Sequence, residues 1–203
     1  MDSFQKTIGE IKPIYQKIYE LAKPFLRTRK NLIHTQIAYR YALKLLNEEK
    51  GDEAVVIPAI LLHDVGWKCV PEHLHLTAFG PNPTNPKLTK VHEVEGAKIA
   101  GKILNDLHYP SDMVKEIRRI IRGHDSRKKP ISKSDRIIKD ADKLFRYSHR
   151  GVAIDSKRFH IPHSTYLSFL EGTINQWFFT PMAKKMAREE ILLRKSKKWK
   201  QFL

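Results

Sequence analysis

The chain has 203 residues, of which 41% are hydrophobic and 30% are charged, and this composition excludes an intrinsically disordered protein. There are 38 Lys and Arg residues against 22 Asp and Glu, so the formal net charge is +16. Such an excess favours anionic partners, such as nucleotides, nucleic acid or phosphate esters. The only cysteine, Cys69, excludes an intramolecular disulfide and a cysteine-rich zinc site.

The sequence carries neither a membrane signal nor an export signal. No apolar run reaches the roughly 18–20 residues that a membrane span needs. The first ten residues, MDSFQKTIGE, lack the apolar core of a signal peptide. We therefore expect a single cytoplasmic domain over residues 1–203 that contacts no membrane.

The first half of the chain shows the apolar spacing of helices. Apolar residues recur every three or four positions over 4–25, where Pro13 and Pro24 are expected to break or kink the helix. A second stripe covers 33–46, and Gly51 follows it at a position that favours a helix end.

The next segment, 54–62, is apolar on all sides, which predicts a buried helix. Asp52 is suited to cap its N-terminus, and Pro58 predicts a kink or a restart. A buried strand is the alternative interpretation of the same run. The proline-rich residues 68–90 then predict a long loop.

The second half of the chain returns to helical spacing. We expect helices to begin near five capping residues, namely Thr89, Ser111, Ser134, Ser164 and Thr180. No β-hairpin pattern and no internal repeat is present, so the sequence predicts an all-α fold.

Several histidines and aspartates lie at the ends or inner edges of these predicted helices, where they could converge at one end of a bundle. They are His34, His63, Asp64, His92, His124 and Asp142. Imidazole nitrogen and carboxylate oxygen together suit first-row divalent metals. A charged Asp64 directly after an apolar segment also needs a cation or another partner, because a bare buried charge is costly.

The order of these residues and their local sequences resemble the HD-domain metal-dependent phosphohydrolase superfamily. The segment LLHDVGW at 61–67 is similar to the His-Asp motif of that family, and DADKL at 140–144 is similar to its closing Asp segment. The resemblance covers about 33–147. It implies an HD-domain-like helical bundle, to which 1–30 and 150–203 add N- and C-terminal helical extensions.

The resemblance implies four metal ligands, His34, His63, Asp64 and Asp142. Asp140 competes for the last place, because DAD offers two carboxylates. We favour Asp142, since the usual family form is Ala-Asp followed by a basic residue and Leu.

His92 and His124 correspond to the two further histidines of family members that bind a second metal. One or two divalent transition-metal ions are therefore expected, with Mn, Fe, Co, Ni and Zn as candidates. The choice between one ion and two stays open at this stage.

A phosphohydrolase of this kind acts through metal-activated water on a small phosphorylated substrate, and we expect a nucleotide. Asp64 is expected to be catalytic, because it would bridge two metals or orient the water. The cations near the motif are the candidates for substrate binding, and they are Lys68, which is also a candidate catalytic residue, Arg127, Lys128 and Lys143.

Two other functions are compatible with the sequence. The same ligand set could hold two irons in an HD-fold oxygenase. Alternatively, the protein could be a catalytically inert, basic nucleic-acid-binding protein, since its last twenty residues hold eight Lys and Arg against two Glu. Against this alternative, the four core ligands are all present, and no basic stretch is interleaved with aromatic residues for base stacking.

Overall fold

A computed structural model describes residues 11–196, and this part of the chain is helical with no β-strand. In chain order the α-helices are α1 (Pro13–Leu26), α2 (Asn31–Glu48), α3 (Glu53–Leu62), α4 (His75–Ala78), α5 (Lys87–Asp106), α6 (Ser111–Ile121), α7 (Lys133–Tyr147), α8 (His149–Phe159), α9 (His163–Trp177) and α10 (Pro181–Lys195). Two 3₁₀ helices, Val65–Cys69 and Glu72–Leu74, lie between α3 and α4. The all-α prediction is confirmed.

Helix α3 forms the centre of the core. Its residues 55–62 are all buried, and helices α1, α2, α6 and α7 pack around it. The Asp52 side chain caps it by accepting a hydrogen bond from the Ala54 backbone N–H at 2.8 Å. The segment is therefore a buried helix, as predicted, and the strand alternative is wrong.

The helix does not restart at Pro58, because α3 continues through it to Leu62. A proline has no N–H to donate to the carbonyl four residues earlier. That carbonyl belongs to Ala54, and the Tyr109 hydroxyl donates to it instead at 2.7 Å. A side chain from the α5–α6 connection thus replaces the missing backbone hydrogen bond.

The segment predicted as one long loop over 68–90 is partly helical. It contains the 3₁₀ helix Glu72–Leu74 and helix α4, so the irregular connection shortens to 79–86. Pro71 and Pro86 each precede the first residue of a helix. Proline is well tolerated where a helix begins, because the first turn needs no N–H donor. These prolines therefore mark helix starts.

Of the predicted caps in the second half of the chain, Thr180 is confirmed, since its hydroxyl accepts from the Ala183 N–H at 3.1 Å. Helix α7 is capped by Ser132, which accepts from the Asp135 N–H at 3.1 Å. Ser134, the predicted cap, instead accepts from the Asp52 N–H at 3.2 Å.

Three helices, α8 to α10, follow the region of family resemblance and pack onto it. One apolar cluster runs through the described residues from Tyr15 to Ile191. Asp140 on α7 anchors the start of α10, because its buried carboxylate accepts hydrogen bonds from the N–H groups of Phe179 at 2.9 Å and Thr180 at 2.8 Å. Residues 1–10 and 197–203, which include the predicted helical positions before 11 and the end of the basic tail, lie outside the described residues.

Among the described residues, no single helix has the length and apolar character to cross a membrane. The strongly bent pair formed by 53–69 and 72–78 meets those criteria only when both parts are taken together.

We expect Asp140 to contribute to stability through these two hydrogen bonds. Asp140→Ala leaves two N–H groups at a buried junction without an acceptor, which should lower the free energy of unfolding by about 2–4 kcal/mol. Asp140→Asn keeps one carbonyl oxygen as an acceptor, so it should lower the free energy of unfolding by only about 1–2 kcal/mol. Urea unfolding followed by circular dichroism measures both, and Asp112→Ala, on a side chain that is 92% exposed, serves as the control. An Asp140→Ala variant as stable as the parent would contradict this role.

Candidate metal centre

A first cluster of ligand atoms joins helices α2 and α7 to the end of α3. The Nε2 atoms of His34 and His63 lie 2.9 Å apart. Oδ1 of Asp142 lies 3.1 Å from Nε2 of His34 and 3.6 Å from that of His63. Oδ2 of Asp64 lies 3.5 and 3.7 Å from the same two nitrogens. The structure thus brings together the four residues that the sequence singled out first.

A second cluster lies on the other side of Asp64. The Nε2 atoms of His92, on α5, and His124, after α6, are 3.4 Å apart. Both lie 3.7 Å from Oδ1 of Asp64 and 3.6 Å from Oδ2 of Asp125. The two oxygens of the Asp64 carboxylate therefore face different clusters.

Asp125 was not among the predicted site residues. It follows His124 directly, so the dipeptide His-Asp, already informative at 63–64, was the available signal. Asp140 is absent from both clusters because its two oxygens face Phe179 and Thr180. The geometry therefore favours Asp142 over Asp140.

The spacing of these atoms fits a metal ion in each cluster. Atoms that ligate one zinc-like ion at about 2.0–2.2 Å lie roughly 3.0–3.6 Å from one another, and the observed distances of 2.9–3.7 Å are close to this range. The triads His34, His63, Asp64 and Asp64, His92, His124 each have the arrangement of a group that could hold a metal ion.

The orientation of two of the imidazoles also fits metal binding. Nδ1 of His63 donates to the Ile60 carbonyl at 2.8 Å, and Nδ1 of His124 donates to the Ile121 carbonyl at 2.9 Å. A carbonyl oxygen can only accept, so these bonds fix the proton of the neutral ring on Nδ1. The lone pair of Nε2 is then directed into the cluster, as metal-binding histidines require.

Trp67 fixes the carboxylate that joins the clusters. Its indole N–H donates to Oδ1 of Asp64 at 3.0 Å, and its ring stacks on His92 at 4.1 Å between centroids. This contact requires the 3₁₀ helix to approach α5 closely at Gly66. A Cβ atom at Gly66 would lie 1.9 Å from the His92 carbonyl oxygen, which is sterically impossible. Close packing of the 3₁₀ helix against α5 therefore requires glycine at position 66 of the LLHDVGW segment.

The turn that carries His124 and Asp125 is held from two sides. The buried Glu93 carboxylate accepts from the backbone N–H groups of Asp125 at 2.9 Å and Ser126 at 2.8 Å. The buried Lys139 ammonium donates to the carbonyls of Gly123 at 2.7 Å and His124 at 2.6 Å. Lys139 thereby fixes the carbonyls of the turn that follows α6.

The charges of the centre stabilise one another. Burial raises the pKa of Asp64, but His63, His124 and His34 together hold it well below its usual range. Burial lowers the pKa of His124, yet the carboxylates of Asp125 and Asp64 outweigh that effect and raise it to about 9. The carboxylates thus favour positive charge at the centre, the sign that a bound cation carries.

The four predicted substrate-binding cations have different environments. Lys143 lies at the centre, with Nζ 3.6 Å from both Oδ1 of Asp125 and Oδ2 of Asp142. Arg127 is 2.8 Å from Asp135 and donates to the Arg119 carbonyl, so it holds the turn after α6.

Lys68 and Lys128 are exposed and do not line the cavity next to the centre. In a 3₁₀ helix, residues three apart share a face, as Asp64 and Trp67 do. Lys68 follows on the next face, which is turned away from the cavity. The structure therefore does not bring Lys68, Lys128 or Arg127 to the substrate side of the centre.

A different set of cations lines that cavity. His34, Asp64, Asp125 and Asp142 face it, and the remaining lining residues are Arg29, Asn31, Trp67, Phe79, Phe145, Arg146 and Arg158. Arg29 and Arg146 lie close in sequence to the predicted ligands His34 and Asp142, whereas Arg158 lies farther along the chain. Proximity along the chain does not separate them from Lys68, which is equally close to His63 but does not line the cavity.

We expect the protein to bind about two divalent ions per chain, one in each cluster. Asp125→Ala should lower the content to about one, because it removes a ligand from the second cluster only. His34→Ala should have the same effect through the first cluster, and Asp64→Ala should reduce both. Elemental analysis after gel filtration measures the content, with Asp112→Ala as the control. Two ions in the Asp125→Ala protein would contradict the second cluster.

Comparison with known proteins agrees with this arrangement. Residues 31–147 match the family model of the HD domain. The fold is similar to the 1.45 Å crystal structure of a predicted HD superfamily hydrolase from an uncultured Thermotogales bacterium, with a TM-score of 0.61, 23% identity, and coverage of 95% of this chain and 92% of that chain. No curated protein matches the chain. Since the family match spans more than half of the sequence and contains both clusters, the chain belongs to the HD-domain family.

Proposed function

We propose that the protein is a metal-dependent phosphohydrolase that acts on a small phosphorylated substrate, and that this substrate is a nucleotide. The observation that carries the proposal is the shared cavity. It is lined by carboxylates and His34 of the two clusters together with Arg29, Arg146 and Arg158. Guanidinium groups match the oxygen geometry of phosphate, so a phosphate in this cavity would meet these groups as well as the ions that the clusters would hold.

The clusters fit divalent ions, which when bound lower the pKa of a water ligand and polarise a phosphoryl oxygen. The six residues of the resemblance, His34, His63, Asp64, Asp142, His92 and His124, would hold them, together with Asp125. Asp64 would join the two clusters through its separate oxygens. Mn, Fe, Co, Ni and Zn all remain candidates, because each accepts mixed imidazole and carboxylate ligands.

Asp125 and Lys143 are suited to metal binding and to charge neutralisation. Burial raises the pKa of Asp125, but His124 and Lys143 outweigh it and lower it, so its carboxylate stays ionised, as a ligand of a divalent ion must. Its side chain is 30% exposed, more than the 10% of Asp64 or the 13% of Asp142. Lys143, between Asp125 and Asp142, can balance negative charge as it develops.

Charge supports a nucleotide as the substrate. The net charge of +16 and the three arginines of the cavity favour a phosphorylated anion. The rings of Trp67 and Phe145 also line the cavity, but they are only 3% and 2% exposed and already contact His92 and His34. The base of a nucleotide would therefore lie outside this cavity.

The six-ligand arrangement also suits the second candidate, an HD-fold oxygenase with two irons bridged by Asp64. The three arginines favour an anionic substrate in either case. Iron content after anaerobic purification, combined with oxygen consumption in the presence of candidate substrates, separates the two reactions. If the protein contains two irons and takes up oxygen only in the presence of a substrate, it is an oxygenase and the hydrolase proposal is wrong.

We expect Asp64→Ala to lower metal-dependent phosphate release by roughly 10³-fold or more, because it removes a ligand from both clusters. Circular dichroism should show that the helical fold is retained. The assay is phosphate or pyrophosphate release from a nucleotide panel with Mn²⁺, Co²⁺, Ni²⁺, Mg²⁺ or Zn²⁺. Full activity of this variant would refute the proposal.

The exposed Lys68 provides a matched test of the geometry. We expect Lys68→Gln to change kcat/KM by less than about twofold, because its side chain does not line the cavity. Arg146→Gln, which removes a lining cation, should lower kcat/KM by roughly tenfold or more. A larger loss of kcat/KM in Lys68→Gln than in Arg146→Gln would show that Lys68 belongs to the site.

A further inference from the structure

Three guanidinium groups gather around one phenylalanine at the mouth of the cavity. The Cζ atoms of Arg29, Arg146 and Arg158 lie 4.7, 5.4 and 5.9 Å from the centroid of the Phe79 ring. The arginines come from the α1–α2 connection, α7 and α8, so three separate parts of the fold place positive charge at one point. Phe79 comes from a fourth part, the 79–86 connection.

Only one carboxylate pairs directly with these cations. Asp155 lies 2.9 Å from Nη1 of Arg146 and 3.4 Å from Nε of Arg158, and it also accepts from the Tyr166 hydroxyl at 2.7 Å. No carboxylate lies within ion-pair distance of the Arg29 guanidinium among the described residues. Three arginines thus share one directly paired carboxylate, and the other carboxylates of the cavity are those of the two clusters.

Arg29 in particular lacks an acceptor. Its Nε and Nη1 atoms are buried without a hydrogen-bond partner in the described part of the chain, and its Nη2 reaches only Oδ1 of Asn31 at 3.5 Å. Burial and the positive charges of Arg158 and Arg146 lower the pKa of Arg29 to about 10. Unsatisfied buried N–H groups of a cation are costly, so they indicate a site for an anion that is not part of the protein.

Phe79 occupies the space that such an anion would need. The free volume of the cavity is about 40 Å³, room for only a few water molecules. The ring offers the guanidinium groups cation–π contacts. It therefore stabilises the cations in part, but it accepts none of their N–H groups.

We infer that Arg29, Arg146 and Arg158 form a subsite for a second, non-reacting phosphate of the substrate. In the absence of that phosphate, the Phe79 ring occupies the subsite. The inference rests on the proposed function, because the reacting phosphate would lie at the two clusters that line the same cavity. It narrows the substrate to a molecule with at least two phosphates, such as a nucleoside diphosphate or a nucleoside bisphosphate.

The first test compares a nucleoside monophosphate with the matching diphosphate and bisphosphate. Arg29→Gln and Arg158→Gln should raise KM for the substrates with two phosphates by a factor roughly tenfold or more larger than the factor for the monophosphate. Arg150→Gln is the matched control, because this exposed arginine lies on α8 with Arg158 but lines a different cavity. Circular dichroism and thermal unfolding verify that each variant is folded.

The second test measures binding without catalysis. Calorimetry in EDTA should show that inorganic pyrophosphate binds more tightly than inorganic phosphate and that Arg29→Gln weakens pyrophosphate binding by roughly tenfold. Phe79→Ala should tighten it by roughly three- to tenfold, because the competing cation–π contacts are gone. If the Phe79 ring had only a structural role, Phe79→Ala would not tighten pyrophosphate binding.

The outcomes separate the two proposals. Equal losses for substrates with one and two phosphates would overturn the subsite while leaving the phosphohydrolase intact. Pyrophosphate binding that is unchanged in Arg29→Gln would also overturn it. Arginine-dependent pyrophosphate binding by a protein that hydrolyses no phosphate compound would support the anion site and refute the phosphohydrolase.

Discussion

The position of the Asp64 carboxylate is the constraint on which the rest of the structure depends. One oxygen faces His34 and His63 and the other faces His92 and His124, so a single side chain joins two halves of the centre. To place it there, the chain must leave the buried helix α3 and turn at once toward α5. The absence of a side chain at Gly66 permits that approach.

The same constraint explains why buried side chains hold the turn that carries His124 and Asp125. A displacement of the turn at 123–127 would separate His124 and Asp125 from Asp64. Glu93 holds the N–H groups of this turn and Lys139 holds its carbonyls, and both side chains are buried. A buried charge is tolerated when its hydrogen bonds are satisfied, and here these bonds also fix two prospective ligands.

The protein as a whole is strongly positive, but its metal centre is rich in carboxylates. The net charge of +16 attracts anions to the whole molecule, whereas the clusters themselves concentrate the carboxylates of Asp64, Asp125 and Asp142. Arg29, Arg146 and Arg158 line the same small cavity as these carboxylates. A site that contains both signs of charge suits a ligand that brings both, such as a phosphate ester together with divalent cations.

The sequence by itself determined the helical fold and the buried α3, because apolar spacing dictates which faces are buried. It also drew attention to His63 and Asp64, since a polar pair after an apolar run needs a partner. That these two residues are metal ligands together with His34, His92, His124 and Asp142 was implied by the family resemblance. Tertiary structure decided which cations face the substrate. Lys68 is near His63 in the chain but lies on the outer face of a 3₁₀ helix, whereas Arg29, Arg146 and Arg158 reach the cavity from separate elements. Long cationic side chains are compatible with exposed or inward positions, so only the packing of the helices selects those that converge.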